Sequence, residues 1–452
     1  MRTSLTWAVL VACLHCTGQE QNNWWYFGEV ALDLNSGSPV LNTNSAMDQM
    51  EGSASIADAQ GNLLFYTDGV TIWNRSDLPM PNGTGLLGHS SSSQSAVIVP
   101  KPSSCGIYYV FTVPAQSDVI PLSYSIVDMS LDGGMGDVSI KNIPLYAGVT
   151  ERLSATLHAN GVDYWVAGQR CSDHAMLSFR LTAAGVDIAP VVSPPLLITD
   201  ACYIGYLKFA PNGTKLCATY LYGYHAVLMD YDNATGTAAN PLVLSPFVGS
   251  GGYGVEFSAQ SSRLYLQSIN APRVLVQYDM LAGDTADIRA SRFLVDSTGI
   301  VDLEYVYGGA LQMTPYGSIY VNRLNKPYLA IVQYPDQLGA ACGYVDQAID
   351  ISPLECQDGL PNLLPIHPSC EAQVGIPESN PDAFSIGPNP ASSLVEIVGV
   401  AHGLAIVTDA AGREIDRLWL TGGRAVLDVS HFANGWYLVK MSNKTARLMV
   451  QH

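Results

Sequence analysis

The sequence is poor in charged residues, and basic residues are especially few. Only 13% of its 452 residues are charged, with 21 Lys and Arg against 39 Asp and Glu. The net charge of −18 repels phosphate backbones, so we expect no nucleic-acid partner. We interpret this charge as a solubility feature, the alternative being divalent cations that bridge the protein to acidic glycans. No segment after the N-terminus is long and apolar enough for a membrane-spanning helix.

The motifs of common enzyme classes are absent as well. The chain contains no Gly-x-Ser-x-Gly, no His-Glu-x-x-His and no phosphate-binding Gly-x-x-x-x-Gly-Lys sequence. The histidines are scattered, and the cysteines beyond residue 18 form no Cys-x-x-Cys pair. Asp128, Asp132 and Asp137 lack the regular spacing of a calcium loop, and we interpret them as part of a Gly-rich turn. We therefore expect no metal and no cofactor, and a protein without enzyme activity is favoured.

The first 18 residues have the features of a secretory signal peptide. Arg2 precedes a mostly apolar stretch over residues 5–16, and the small residues Thr17 and Gly18 precede polar Gln19. This stretch is too short to span a bilayer, and we expect cleavage near Gly18. Alternatively, residues 10–13 resemble a lipobox, which would make Cys13 a lipidated N-terminus. Both interpretations predict export.

Seven cysteines would remain after cleavage, and an oxidising environment favours disulfides among them. They are Cys105, Cys171, Cys202, Cys217, Cys342, Cys356 and Cys370. The last three lie in a turn-rich stretch, where we expect a disulfide to stabilise the chain most. Since seven is odd, at least one thiol is free or pairs elsewhere, and the sequence does not give the pairing.

Short strands and turns are predicted from the abundant residues and from an internal repeat. Gly (41), Pro (26) and Tyr (24) are plentiful, which is typical of short strands joined by tight turns. A strand, an Asn/Gly-type turn and a return strand recur in residues 55–66, 155–165, 207–218, 255–266 and 311–321. Residues 94–100 and 107–112 fit a sixth unit. Four strands in about 40–50 residues are typical of a β-propeller blade.

These units predict an all-β chain with a β-propeller of six to seven blades, seven being favoured. The N-terminal strand at residues 24–28 would complete the seventh blade, because closing the ring removes exposed strand edges. We expect residues 1–18 to be the signal peptide, 19–365 the propeller and 366–381 a linker. Six or seven short strands in residues 382–452 predict a small Ig-like β-sandwich.

The C-terminal segment carries an ordered series of Pro, Asn and Gly motifs between its strands. The motif residues are Pro388, Asn389, Pro390, Gly412, Gly435 and Tyr437. In their order and spacing they resemble the type A sorting domain of type IX secretion cargo from Bacteroidetes-type bacteria. The resemblance implies contact with the type IX machinery, translocation across the outer membrane, usually removal of the domain, and surface attachment or release. The alternative is a plain β-sandwich that binds carbohydrate or packs on the propeller.

The N-terminal part resembles the propeller-like region of gliding-motility-associated surface proteins of the same bacteria. The matching segments are residues 25–28, 51–56, 61–69, 72–74, 80–83, 93–96, 129–138 and 359–362. The resemblance spans most of residues 24–365 and implies the propeller fold. It implies little about activity, and the further repeat domains of those relatives are missing from this chain.

Two sets of side chains are candidates for function. The first set consists of carboxylates near Gly or aromatic residues: Glu51, Asp68, Glu151, Glu256 and Glu304. Of these, Glu256 and Glu304 occupy similar places in successive units. We interpret Glu256 and Glu304 as a polar lining of the central channel, and as the catalytic candidates if the protein is an enzyme. The candidate ligand-binding residues are Tyr203, Tyr206, Tyr222, Tyr224 and Tyr253. Sugar rings stack on such faces, although Tyr is also a common strand residue.

These observations predict an exported propeller, at the cell surface or released, that binds a polysaccharide or another surface protein. One alternative is a propeller glycoside hydrolase or lyase with carboxylates facing the channel. Another is a structural protein of a surface layer. The fold alone does not decide among them, because one architecture supports many activities.

Overall fold

The computed structural model describes residues 20–116, 119–198, 203–223, 225–245, 247, 251–269, 273–299, 309–365, 385–389, 391–398, 402–409, 413–441 and 444–452. The chain divides into two compact units, Met1–Glu371 and Ala372–His452. Within the described residues, no helix has the length and apolar character needed to cross a membrane.

The first unit is a β-propeller of seven antiparallel sheets, with strands arranged nearly in chain order within each sheet. Blade 1 contains β1 (Trp24–Phe27), β2 (Val30–Asp33) and β3 (Val40–Asn42). Blade 2 contains β4 (Ala54–Ala57), β5 (Leu63–Thr67), β6 (Thr71–Asn74) and β7 (Pro79–Thr84). Blade 3 contains β8 (Ala96–Pro100), β9 (Ile107–Thr112), β10 (Leu122–Asp128) and β11 (Asp137–Tyr146).

The other four blades follow the same plan. Blade 4 contains β12 (Val149–Leu157), β13 (Tyr164–Arg170), β14 (Met176–Thr182), β15 (Gly185–Val186) and β16 (Val191–Val192). Blade 5 contains β17 (Leu207–Phe209), β18 (Lys215–Tyr220), β19 (His225–Asp232) and β20 (Thr237–Leu244). Blade 6 contains β21 (Gly252–Phe257), β22 (Arg263–Ser268), β23 (Arg273–Asp279), the helix α1 (Thr285–Ala290) and β24 (Phe293–Gly299). Blade 7 contains β25 (Leu311–Met313), β26 (Ile319–Val321), β27 (Tyr328–Val332) and β28 (Tyr344–Asp350).

The predicted hairpins are confirmed as the first two strands of blades 2 to 7. Their turns need backbone angles that favour Gly; Gly213, for example, has a φ of +70°. A Cβ at this position would lie 2.2 Å from the terminal amide nitrogen of Asn233, so that side chain would have to move to make room for it. The local turn chemistry that predicted the repeat is therefore the chemistry that the fold uses.

The predicted seventh blade is also confirmed, but it is larger than the single N-terminal strand that was expected. The strand β1 pairs with β2, and β2 with β3, so this blade is a sheet of three consecutive strands. Aromatic contacts join it to both neighbours: Trp25 packs edge-on against Tyr320 of blade 7 at 5.2 Å, and Tyr26 stacks on Tyr66 of blade 2 at 3.7 Å. Such pairs stabilise the junctions beyond the area that they bury.

Residues 358–364, which we call the closing segment, complete the ring. Asp358 N donates to Met50 O at 2.8 Å, and Asn362 N donates to Ser53 O at 2.7 Å. The Asn22 side chain donates to Leu364 O at 2.8 Å. The two ends of the propeller chain are thereby joined by hydrogen bonds, which leaves no ring opening between its first and last blades.

Cys217, Cys342 and Cys356 are buried free thiols. The expectation of a disulfide in the stretch from residue 342 to residue 370 is therefore wrong for Cys342 and Cys356, while Cys370 lies outside the described residues. Both side chains instead serve as small apolar core residues: Cys342 packs in the cluster between blades 6 and 7, and Cys356 in the largest core cluster.

The second unit is one seven-stranded sheet that nearly closes on itself. Its strands are β29 (Ser385–Gly387), β30 (Leu394–Val398), β31 (His402–Asp409), β32 (Glu414–Thr421), β33 (Arg424–Asp428), β34 (Gly435–Met441) and β35 (Lys444–Val450). They lie in the order β29-β30-β33-β32-β31-β34-β35, and a parallel bridge from Ala391 to Val450 connects its two sides. Alternating residues such as Val395, Val439 and Leu448 form its core. The predicted strands of this sandwich-like domain are confirmed.

Candidate functional site

The first strands of blades 2 to 7 stand next to one another and surround the axis of the ring. Neighbouring first strands are in contact from β4 through β8, β12, β17 and β21 to β25. We call the end where these strands begin the top of the channel, and the end where they finish the bottom. Residues just before or at the strand starts therefore meet at the top, and residues at the strand ends meet at the bottom.

Two buried amides link the first strands across the axis. Gln94 Oε1 accepts hydrogen bonds from Leu153 N at 3.2 Å and Leu207 N at 2.7 Å. Asn362 Nδ2 donates to Ala96 O at 3.2 Å and to Leu153 O at 2.8 Å. The two amides also bond to each other, since Gln94 Nε2 donates to Asn362 Oδ1 at 3.3 Å. This pair of amides connects β8, β12 and β17 to the closing segment.

A cavity of about 830 Å³ opens at the bottom. Its lining combines polar residues with apolar and aromatic ones: Asn22, Ser154, Lys208, Phe209, Pro211, Asn212, Glu256, Ala259, Gln260, Ser261, Gln312, Met313, Thr314, Pro315, Tyr316, Gly317, Leu363, Leu364 and Pro365. Tyr316 is half exposed, and its hydroxyl accepts a hydrogen bond from Gly37 N at 3.1 Å. This volume is in the range of ligand sites, which usually mix an apolar wall with a few placed polar groups.

Glu256, a candidate from the sequence, lines this cavity with its charge fully engaged. Its Oε2 lies 3.4 Å from Lys208 Nζ and accepts a hydrogen bond from Met313 N at 3.1 Å. Its Oε1 accepts from Phe257 N at 3.0 Å, and Lys208 also donates to Gln312 Oε1. Burial raises the pKa of Glu256, while Lys208 acts to lower it. The carboxylate is held as part of the wall, which supports the interpretation of Glu256 as a polar lining.

Three carboxyl groups gather at the top: Glu51 before β4, Glu151 in β12 and Asp358 in the closing segment. Tyr253 donates to Glu51 Oε2 at 3.0 Å, and Ser91 donates to Glu51 Oε1 at 3.1 Å. Ser93 donates to Glu151 Oε2 through its backbone N at 3.0 Å and its hydroxyl at 2.8 Å. Two carboxyl oxygens of this group have no hydrogen-bond partner: Oε1 of Glu151 and Oδ1 of Asp358. We call Glu51, Glu151 and Asp358 the acidic cluster.

Burial and mutual repulsion shift the ionisation of the acidic cluster. Burial, followed by the Glu51 carboxylate, raises the pKa of Glu151 to about 7 and that of Asp358 to about 7. Burial also raises the pKa of Glu51, against the hydrogen bonds from Tyr253 and Ser91. The Tyr253 hydroxyl has a pKa well above its usual range because it is buried beside Glu51. Glu151 and Asp358 therefore keep their protons to a higher pH than ordinary carboxyl groups, which reduces the negative charge at the top of the channel near neutral pH.

The candidate tyrosines do not form one common surface. Tyr206 and Tyr253 are buried and pack edge to face at 5.0 Å beside the acidic cluster. Tyr203 is half-buried, and its carbonyl accepts from Glu151 N at 3.1 Å. Tyr222 is 56% exposed, and Tyr224 lies outside the described residues. Tyr316, which lines the cavity, was not among the tyrosines predicted from the sequence to bind a ligand. It lies in the turn of a repeat that the sequence analysis did identify.

Other candidates lie outside the described part of the chain or in the second unit. Glu304, Pro390 and Gly412 are outside the described residues. Asn389 Oδ1 accepts a hydrogen bond from Met449 N at 2.8 Å, next to Pro388. The Tyr437 hydroxyl donates to Ala433 O at 2.9 Å, close to Gly435. These sorting-motif residues thus fix turns and strand ends of the C-terminal sheet.

Sequence reasoning missed Asp358, Lys208 and the roles of Gln94 and Asn362. The one signal for Gln94 was an unusually polar stretch, residues 90–95, directly before the apolar strand β8. No His, Cys, Asp and Glu side chains within the described ranges come together in a group of three suited to a metal ion.

Comparison with known proteins identifies the C-terminal unit. Residues 385–451 match the family of the secretion system C-terminal sorting domain. No curated protein matches the chain. Among solved structures, the chain is similar to PorZ, an essential bacterial surface component of the type IX secretion system of Porphyromonas gingivalis. That match has 12% identity and a TM-score of 0.33, and it covers 96% of this chain and 69% of PorZ.

Two further solved structures show the same range of similarity. The periplasmic gluconolactonase PpgL of Pseudomonas aeruginosa matches with 14% identity and a TM-score of 0.40, covering 79% of this chain and 93% of PpgL. A functionally unknown protein from Desulfotomaculum acetoxidans matches with 12% identity and a TM-score of 0.44, covering 76% of this chain and all of that one (100%). Residues 385–451 are a secretion system C-terminal sorting domain, and the chain is a β-propeller protein that type IX secretion exports to the cell surface or the extracellular space.

Proposed function

We propose that the propeller is a binding module and that it holds a segment of polysaccharide in the cavity at the bottom of the channel. The observation that carries this proposal is the composition of the cavity wall. Within about 830 Å³ it combines the half-exposed ring of Tyr316 with amide, hydroxyl and charged side chains. Sugars are recognised by this combination, because their rings stack on aromatic faces and their hydroxyls need both donors and acceptors.

The polar groups of the cavity are held in position before a ligand arrives. Lys208 is fixed between Glu256 and Gln312, and Gln312 Nε2 donates to Met313 O at 3.1 Å. Tyr316 is restrained by its bond with Gly37 N. Side chains that are already ordered lose less conformational entropy on binding, which favours affinity for a neutral, hydroxyl-rich ligand.

A glycoside hydrolase is the second candidate, and one observation favours it. Glu51 and Glu151 lie close enough for the Glu51 charge to raise the pKa of Glu151, which resembles the division into acid and base that glycosidases use. Against hydrolysis, Glu151 has no exposed surface. In the cavity, the oxygens of Glu256 are already occupied by Lys208, Met313 and Phe257. Binding without cleavage is therefore the better-supported function.

The experiment uses residues 19–452, which lack only the expected signal peptide, and a panel of insoluble polysaccharides and peptidoglycan. Retention on each polymer and release of soluble fragments are measured in the same samples. We expect retention without release, and a loss of about two- to tenfold in affinity for Tyr316→Ala, since one stacked aromatic contributes about 0.5–1.5 kcal/mol. The matched control is Tyr334→Ala, which removes an exposed tyrosine of the same blade outside the cavity.

The outcomes separate the alternatives. Fragment release that disappears with Glu51→Gln or Glu256→Gln would make the protein an enzyme. Retention by no polymer, or retention that Tyr316→Ala leaves unchanged, would remove the cavity as a glycan site and leave a protein partner or a structural surface role. The resemblance to gliding-motility-associated proteins stays a prediction under each outcome.

A further inference from the structure

A second cavity, of about 650 Å³, opens between blades 1 and 2, and we call it the outer cavity. Its wall is formed by the start of β1, the end of β2 and the turn after β4. That turn is at the bottom of the propeller, because β4 ends there. Several side chains of the wall are exposed, so a ligand can reach them from solvent: Asn35, Gln60, Asn62 and Arg75.

The outer cavity and the cavity at the bottom of the channel, here the channel cavity, share a wall. Asn22 lines the channel cavity, and its neighbour in sequence, Asn23, lines the outer cavity. The turn of residues 34–37 forms the rest of this wall. Asn35 in the turn lines the outer cavity, while Gly37 N donates to the hydroxyl of Tyr316 in the channel cavity at 3.1 Å. A chain-like ligand that leaves the channel cavity over this turn therefore enters the outer cavity.

One aromatic side chain, Trp24, lines the outer cavity. It is half-buried, and its indole nitrogen donates to Gly61 O at 3.0 Å. Its ring also stacks on Tyr26, with the ring centroids 6.3 Å apart. Trp24 is thereby held in position while part of its surface stays accessible, which is the arrangement that a stacked sugar ring requires.

The polar side chains beside Trp24 are ordered by bonds among themselves. Asn35 Nδ2 donates to Asp33 Oδ1 at 2.7 Å and to Gly61 O at 3.0 Å. Asn23 Nδ2 donates to Asn35 Oδ1 at 2.9 Å. A ligand therefore meets polar groups that lose little conformational entropy when it binds.

The charges of the outer cavity favour a neutral ligand over an anion or a cation. Glu20 and Asp33 stand on one side of the balance and Arg75 on the other, and none of the three forms an ion pair within the described residues. Arg75 Nη1 donates to Gly134 O at 2.6 Å, which uses one of several N–H donors of its guanidinium. The wall thus offers both donors and acceptors, as sugar hydroxyls need.

We propose that the outer cavity is a second sugar subsite and that it takes a further part of the polysaccharide chain held in the channel cavity. This inference rests on the proposed function of the channel cavity. Two subsites on one chain raise the overall affinity well above that of either alone, because the second contact is made within the complex. Affinity should therefore increase with the length of the glycan.

The test uses residues 19–452 and measures retention on cellulose, xylan, chitin and peptidoglycan. We expect Trp24→Ala to weaken retention about two- to tenfold on the same polymer for which Tyr316→Ala does so. Arg75→Ala, at an exposed position, should weaken it about twofold or more with little effect on folding. The matched control is Trp73→Ala, because Trp73 packs against the same aromatic cluster as Trp24 but does not line the outer cavity.

Chain length gives an independent measurement. Fragments of two and six sugar units are prepared from the retained polymer and titrated by calorimetry. The six-unit fragment should bind the parent at least about tenfold more tightly than the two-unit fragment, and this advantage should shrink in Trp24→Ala. An equal affinity of both fragments for the parent would overturn the second subsite.

The variants also separate this inference from the proposed function. Retention that falls with Tyr316→Ala but not with Trp24→Ala or Arg75→Ala would overturn the second subsite and leave the channel cavity as the glycan site. Retention that falls with Trp24→Ala but not with Tyr316→Ala would overturn a chain shared by the two cavities and place the sugar in the outer cavity alone. Retention by no polymer, or an equal loss with Trp73→Ala and Trp24→Ala, would overturn the second subsite.

Discussion

Gln94 and Asn362 are 268 positions apart in sequence, and their side-chain amides meet at 3.3 Å on the axis of the propeller. Each amide bonds to the backbone of first strands from other blades, so the pair connects β8, β12 and β17 to the closing segment. Because the closing segment follows blade 7 in sequence, this contact joins the end of the propeller chain to blades 3, 4 and 5.

Replacing Asn362 by Ala should therefore destabilise the whole propeller. The change leaves Leu153 O and Ala96 O without their donor and removes a partner of Gln94, all in buried surroundings. Each unsatisfied buried group costs about 1–3 kcal/mol, so we expect a loss of about 3 kcal/mol or more in the free energy of unfolding. Urea denaturation measures this loss of unfolding free energy. Asn44→Ala, at an exposed loop position, should change stability by less than about 0.5 kcal/mol.

Breaking the Lys208–Glu256 pair should cost stability in a way that a second substitution repairs. Lys208→Met leaves the Glu256 carboxylate buried without its cation, which typically destabilises a protein by about 3–5 kcal/mol. In the double variant Lys208→Met with Glu256→Gln the buried charge is gone, so we expect most of the loss to be recovered. Thermal unfolding of the four proteins forms a complete cycle. A lone Lys208→Met that unfolds like the parent would contradict the structural role of the pair.

Stability should depend on pH through Glu151. Its pKa is about 7 in the folded protein against an ordinary value of 4.5, so the folded state holds this proton more tightly than the unfolded state. The resulting stabilisation is complete below about pH 4.5 and is lost as the pH rises through about 7, by about 3 kcal/mol at most. Glu151→Gln cannot lose this proton, so its stability relative to the parent should rise from pH 5 to pH 8 in urea titrations.

Glu29→Gln provides the comparison, because its parent carboxylate is exposed. Its stability relative to the parent should not change across the same pH range. If the difference in free energy of unfolding between Glu151→Gln and the parent is the same at pH 5 and at pH 8, Glu151 ionises as an ordinary carboxylate.

The free thiols of Cys217, Cys342 and Cys356 should be inert in the folded protein. Burial raises the pKa of Cys356 to about 12 and also raises the pKa values of Cys217 and Cys342, so the reactive thiolate is scarce and shielded. Iodoacetamide at pH 8 should add nothing at these positions in the native state and at least three groups after denaturation without reductant. Intact mass measures both. Cys217→Ala should lower the denatured count by one.

Export should depend on the C-terminal domain and not on the propeller. Deletion of residues 382–452 should leave the propeller inside the cell envelope, and the same segment fused to a periplasmic reporter should bring that reporter to the surface or the medium. Fractionation followed by immunoblotting measures the distribution. A deleted protein that still reaches the surface would mean that another part of the chain directs export.

The blades were predictable because their information is local. A turn such as the one at Gly213 needs Asn/Gly chemistry wherever it occurs, so each hairpin is visible in a window of about twelve residues. The number of blades followed from counting hairpins, and the C-terminal strands followed from their regular alternation. The strands β2 and β3 were missed although Gly28 and Gly37, both with positive φ, mark the turns on either side of β2.

The sites were less predictable because ring closure creates them. Glu51 and Glu151 were candidates as single carboxylates, but nothing local shows that residues 100 positions apart share a site with Asp358. Tyr206 and Tyr253 looked like binding residues, and the fold instead buries them beside that cluster. The sequence did not predict Tyr316 as a binding residue, because its place in the cavity depends on the strand ends and turns that surround it.

If the sorting domain is removed after export, as the resemblance to type IX secretion cargo implies, the closing segment limits where the chain can be cut. The position of the cut decides what remains. A cut after Pro365 leaves the hydrogen bonds of Asp358, Asn362 and Leu364 intact and yields a closed ring. A cut only a few residues earlier would detach the chain end that joins the last blade to the first. The fold thus restricts the protease to the residues beyond 365 if the secreted product is to keep its closed form.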